Sequence, residues 1–425
     1  MMAATRSFAQ LRSKVSPPGA DARLRIATSA AVILFLVYPV QIGGPLRLNT
    51  DAVKYLTIAD SAAHGQGFVY PGEPTPFPPG YPALLAVLIH FRFATASSFV
   101  ALNCAMLGIG LLAAYQVGLR GFSFQPWISA LLCCFTELSY LYLKHTFTAE
   151  SETAYFASSM LCLLALTYAE QRRGAWRWRL WALAALAALA AIMLRTVGIA
   201  LIPVLLWAGV SAPARIAAST RLRGVLRCAL AAVAMAIAAW FLSQTVYFRE
   251  WMRWYDYQSS IRGHWAVLFA FMPGHLSELG EIALNVPKSR APSPATVAFP
   301  VAGAILLVLV LFGMWKRRRN PGAIGVYLPA YAATVAAWYY GDARIWLPVV
   351  FLLFAYAALA FGDIHFRRTK QALLCVWCVG FVAAGITACV YTTKITIAGS
   401  EFSINSHDDD TIRVLREFGS SSAER

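Results

Sequence analysis

Long apolar blocks alternate with short polar, mostly basic, clusters along the whole chain. Blocks suited to membrane helices fall at about 24–41, 97–119, 126–144, 150–170, 178–194, 197–210, 227–247, 297–315, 322–340, 345–362 and 371–391. A helix that crosses a bilayer needs about 20 mostly apolar residues. The pattern therefore predicts an all-α, polytopic membrane protein with about eleven transmembrane helices. One further stretch, "PGYPALLAVLIHFRF" at 79–93, is fifteen residues long, with proline near its start and His90 and Arg92 near its end. It reads as a juxtamembrane or re-entrant helix.

The basic clusters support that choice. Arg172, Arg173, Arg177 and Arg179 form one; Arg215, Arg221, Arg223 and Arg227 another; Lys316 to Arg319 a third; Arg367, Arg368 and Lys370 a fourth. Cytoplasmic loops are enriched in such residues. If 79–93 crossed, these clusters would face outward; if it lies in the interface, they face the cytoplasm. The N-terminus then lies in the cytoplasm, and two long outer loops, 42–96 and 248–296, lie on the opposite face. The short turns near Lys144–Ser151, Arg195 and Gly341–Arg344 share that outer face, as does a tail from 392 to 425.

Composition agrees: 59% of residues are hydrophobic and 13% charged, where soluble domains devote about a quarter to charge. The net charge of +16 sits in the loop clusters, which points to topology and anionic lipid rather than nucleic acid. All eight cysteines lie within apolar blocks, so no disulfide is expected, and the Cys375–Cys378 pair has no redox or zinc context.

Against this background the polar residues at the outer helix ends stand out. Asn49 or Thr50 can cap a helix running from Asp51 to about His64, stopped by Gly65 and Gly67. Asp51 is either a first-turn acid complementing the helix dipole or an ionised carboxylate able to take a proton. Glu150 and Glu152, in "FTAESETAYF", open the fourth span, with Thr148 as a candidate cap. Arg195 and Arg344 interrupt apolar sequence; each is either a snorkelling anchor or a phosphate clamp. The 248–296 loop carries Trp251, Trp254, Tyr255, Tyr257, Trp265, Phe269 and Phe271, beside Arg262 and His264. They suit an interfacial aromatic belt or stacking on a sugar. "HDDDTIRVLREF", from 407, suits a short amphipathic helix.

Taken in order, Asp51, Tyr55, Ala59, "HGQGF" 64–68, "PPGYP" 78–82, "SETAYF" 151–156, "LRTVGIALIP" 194–203 and "ARIWLPVVFLL" 343–353 resemble the GT-C glycosyltransferases. More narrowly, they are similar to the family 39-like clan of protein O-mannosyltransferases and aminoarabinose transferases. The resemblance spans about residues 24–362. It implies a GT-C-like transmembrane transferase domain over 1–391 and an extracytoplasmic tail over 392–425. It also implies a bacterial inner-membrane enzyme taking a sugar from a polyprenyl-phosphate donor to an acceptor hydroxyl, on a glycan, lipid or protein, with inversion. Asp51 would be the general base, assisted by Glu152 or Glu150. Arg195 and Arg344 would hold the donor phosphate, and Tyr55, His64 and Tyr81 would line the substrate site. Relatives often carry a second acid beside the first; here Ala52 follows Asp51, so no metal site is assigned. No cofactor is required, and a divalent cation is not indicated. The competing class is a transporter or flippase of a lipid-linked or anionic substrate.

Overall fold

The computed structural model describes residues 20–44, 46–70, 77–172, 174–211, 271–336, 341–362 and 367–398, with a few isolated positions between 252 and 263. The expected span at 227–247, the residues Trp251, Trp254, Tyr255, Arg262, His264, Trp265 and Phe269, and the acidic tail motif lie outside the described residues.

The described residues are helical and form no strand; Arg47 and Thr148 meet in a single isolated bridge. After α1 (Ala20–Phe35) and the short α2 (Val37–Val40) comes α3 (Thr50–Ala63), then α4 (Gly80–His90) and α5 (Ala96–Arg120). A proline-opened α6 (Pro126–Glu137) is followed by α7 (Tyr140–His145). Next come α8 (Glu152–Gln171), α9 (Ala175–Leu194), a 3-10 turn at Thr196–Leu201 and α10 (Ile202–Ser211). The rest comprises α11 (Met272–Leu284), α12 (Ala298–Arg317), α13 (Gly322–Ala336), a 3-10 turn at Ala343–Val349, α14 (Val350–Gly362) and α15 (Arg367–Ala398).

Among the described residues, six helical segments are long and apolar enough to cross a membrane: Asp21–Val40, Ala96–Arg120, Ala175–Leu194, Ser293–Arg317, Ala343–Gly362 and Gln371–Ile397. Their outer faces expose large apolar side chains, among them Leu112, Leu186, Val308 and Val379. Water would penalise that surface and lipid does not. The chain is an all-α, polytopic integral membrane protein.

The element map departs from the sequence expectation in instructive ways. The 126–144 block is broken at Leu138–Ser139 into α6 and α7. The 197–210 block starts as a 3-10 turn, and the last span runs on to Ala398, past the expected boundary at 391. The segment 248–296, expected as a loop, contains a 13-residue helix, α11. α11 lies tight against α12: a Cβ on Gly280 would come within 1.9 Å of the Phe299 carbonyl oxygen, and one on Gly303 within 1.8 Å of that of Leu276. Paired glycines let the two backbones touch where any side chain would hold them apart. α4 has 11 residues, about 16 Å at 1.5 Å per residue.

α8 is the central element. It packs on α5 and α9, and its first turn, from Glu152 to Phe156, is fully enclosed. This places acidic residues inside the protein at the end of a buried helix, where the site forms.

Candidate functional site

Asn49 anchors one side of the site. In extended conformation, its Oδ1 accepts the Ala52 N–H at 2.8 Å and so caps α3. The same cap leaves Asn49 Nδ2 free to donate to Glu150 Oε1. Gly65 and Gly67, with φ of 78° and 84°, end α3 in the left-handed region that glycine tolerates. The cap thus orients the α3 terminus and its first-turn acid, Asp51.

Arg344 is the hub. It sits in the 3-10 turn at Ala343–Val349, whose start is fixed by Asp342 Oδ1 accepting the Arg344 N–H at 2.9 Å. Its Nη2 lies 2.7 Å from Asp51 Oδ2 and its Nη1 2.5 Å from Glu150 Oε1. Its Nε lies 3.3 Å from Asp342 Oδ2 and 3.6 Å from Glu152 Oε1. Arg195, at the turn between α9 and the following 3-10 segment, donates to Glu152 Oε1. Both sequence-predicted arginines and all three predicted acids therefore meet in one cluster. Neither arginine is a snorkelling anchor, because both are spent on carboxylates inside the protein. Thr148 does not cap α8: its hydroxyl bonds back to the Lys144 carbonyl, and Ser151 occupies the cap position.

The cluster is graded by exposure. Glu150 and Glu152 side chains are 0% and 2% exposed, whereas Asp51 keeps 30% and Arg344 17%. Burial by itself would raise the Glu150 carboxyl. His145, hydrogen-bonded through Nδ1 at 2.5 Å, outweighs it together with Arg344 and Asn49, and holds Glu150 below the usual carboxylate range. Glu150 is thus a committed anion, and of the three predicted acids Asp51 is the one at the open side, where Asp342 is also exposed.

Tyr55 lies one layer behind, its hydroxyl 3.4 Å from Ser151 Oγ and its ring edge-on to Tyr81 with centroids 5.4 Å apart. Tyr81 donates to Asn103 Oδ1 at 3.0 Å, and Asn103 donates to the Thr148 carbonyl at 2.7 Å. Both tyrosines brace the acidic turn and are buried. His64 is not brought into the cluster; it sits at the far end of α3, exposed, against Asp60. Sequence reading missed His145, Asp342, Asn103 and the second role of Asn49. Asp342 had a signal, an acid two residues before an isolated arginine at a helix start; His145 had none. Among the described residues no group of three or more potential metal ligands is assembled.

No family model and no curated protein matches the chain in sequence. Among solved structures it is similar to ArnT from Cupriavidus metallidurans, crystallised bound to undecaprenyl phosphate, with a TM-score of 0.50 and 13% identity. That match covers 87% of this chain and 70% of ArnT. It is also similar to the oligosaccharyltransferase AglB from Archaeoglobus fulgidus, in complex with an inhibitory peptide and a dolichol-phosphate, with a TM-score of 0.50 and 14% identity. Here 96% of this chain is covered, but the chain spans only 59% of AglB. The chain has the GT-C fold. At these identities the likeness carries the architecture, and chemistry rests on the site itself.

Proposed function

We propose that the chain is a glycosyltransferase that moves a sugar from a polyprenyl-phosphate donor to an acceptor hydroxyl at the extracytoplasmic face, with inversion. One observation carries the reading: Arg344 gathers Asp51, Glu150 and Glu152 from two distant segments, with Arg195 on the same carboxylate as itself. Desolvating so many charges is expensive, and replacing such groups with apolar ones is often neutral or stabilising. Ionisable clusters within membrane proteins mark substrate chemistry by default. That both solved neighbours carry a polyprenyl-type phosphate supports the donor class.

In this mechanism the acceptor hydroxyl gives its proton to Asp51 as its oxygen attacks the anomeric carbon. The bond from that carbon to the carrier phosphate oxygen breaks, and the phosphate leaves with the electron pair. Arg344 and Arg195 stabilise the charge that develops there. Both guanidiniums already hold carboxylates, so the phosphate must enter by exchange. Two of the carboxylates on Arg344 are exposed, Asp51 and Asp342; Asp342 is tied to the turn through the Arg344 N–H, so Asp51 is the one that yields. Displaced from Arg344, its carboxylate is left to accept the proton of the attacking hydroxyl. Glu150 and Glu152 stay in place and keep the two arginines aimed. Tyr55 and Tyr81 brace the acidic turn from behind.

The test is glycan analysis of cells carrying Asp51→Asn in place of the wild-type gene, alongside a deletion. The reading requires that both lose the same glycan. Normal glycosylation by Asp51→Asn would exclude Asp51 as the base.

A further inference from the structure

The turn that presents Arg344 is gripped from outside the charge cluster. Trp346, two residues on in the same 3-10 turn, donates its indole N–H to Glu278 Oε2 at 2.8 Å. His275 Nδ1 meets that same oxygen at 2.9 Å, and its ring stands edge-on to Trp346, centroids 6.3 Å apart. The other carboxylate oxygen, Oε1, lies against the beginning of the segment: a Cβ at Gly341 would come within 3.3 Å of it. Glu278 therefore holds the chain just after Arg344 and lies close to it just before. It is 4% exposed, as is His275, so neither meets bulk solvent.

Glu278 belongs to α11, and α11 is itself immobilised. Gly280 and Gly303 seat it on α12. At its end Asn285, in the left-handed conformation with φ 59°, accepts the Tyr140 N–H at 2.7 Å and donates to the carbonyls of Leu138 and Phe381. A rigid strut thus runs from α12 through α11 and Glu278 to the turn carrying Arg344. A buried carboxylate accepting two donors on one oxygen is a strong, directional contact.

We propose that Glu278 is a positioning residue that acts through Trp346 to fix Arg344, and so sets the affinity of the site for the carrier phosphate. The proposal rests on the reading of Arg344 as a phosphate ligand, and two measurements separate the fates of the two. The first is binding of undecaprenyl phosphate to the full chain in nanodiscs. Glu278→Ala and Trp346→Phe should each weaken it about tenfold, the scale typical of supporting residues behind a ligand contact. The double variant should be no worse than either. Glu278→Gln, which still offers an oxygen to the indole, should stay near the wild-type value. In an Arg344→Gln background, Glu278→Ala should add nothing. Unchanged binding by Glu278→Ala, or the same loss with and without Arg344, overturns the proposal. The second measurement is a cryo-EM structure of Trp346→Phe without lipid, a variant that keeps the ring packing and removes the N–H. Arg344 displaced from Glu150 and Asp51 supports the positioning role even if the wild-type protein binds no carrier. Arg344 unmoved overturns it.

Discussion

Asp51 and Arg344 face each other at 2.7 Å at the open side of the cluster, and this pair makes opposite demands on binding and on turnover. Asp51→Asn keeps the shape of the cap turn but cannot take a proton, so transfer should fall on the order of 10²–10⁴. Carrier binding should be unchanged or tighter, because the substitution removes the anion that competes with phosphate for Arg344. Weaker carrier binding, measured with undecaprenyl phosphate, would contradict the exchange model. Glu150 behaves differently. Its carboxyl is held below the ordinary value of 4.5, so its pairing contributes fully above about pH 5 and fades as pH falls below it. The melting temperature of Glu150→Gln in detergent should therefore lie well below wild type at pH 7, and the gap should narrow towards pH 4. These acids and arginines were legible in the sequence because charge inside apolar stretches is rare and expensive. Their pairing was not, since Asp51, Glu150 and Arg344 are joined across long separations that leave no local pattern. Arg344 read as either a snorkelling anchor or a phosphate clamp for the same reason.

At the level of elements, amphipathic and apolar runs disclosed where helices exist, whereas their internal breaks were hidden. α6 and α7 read as one block because Leu138 and Ser139 interrupt neither hydrophobicity nor length. α11 was concealed by polar residues that look like loop chemistry: His275, Glu278 and Asn285 are buried and bonded, so their polarity serves internal contacts. Gly280 on α11 and Gly303 on α12 were uninformative until the two helices were seen side by side. That crossing yields a direct test. Gly303→Val places side-chain atoms where the Leu276 carbonyl already lies. Overpacking of this kind costs about 1–3 kcal/mol, and here it should also loosen α11. A lowered melting temperature with weakened carrier binding is expected. Gly43→Val, at a position with open space, should leave both near wild type. Asn49→Ala should cost about 1 kcal/mol as a lost cap and, unlike an ordinary cap, reduce turnover by freeing Glu150.

For the molecule as a whole, the distribution of basic loops makes the orientation testable. α4 extends 11 residues, about 16 Å, roughly half of a hydrocarbon core about 30 Å thick. If α4 lies at the surface, the acidic cluster and α11 share the outer face, and the basic residues around Arg172–Arg179 and Lys316–Arg319 face the cytoplasm. If α4 crossed, each of those basic loops would have to be exported, against the strong bias that keeps short Lys- and Arg-rich loops inside. Ser123 and Ser260 report on the two faces, and both are exposed. In a background with the native cysteines replaced, a cysteine at Ser123 should react with a membrane-impermeant maleimide only after the membrane is opened. One at Ser260 should react in intact cells. The reverse labelling at either position would move the cluster to the cytoplasmic face, where a sugar–phosphate donor would have to be presented from the other leaflet.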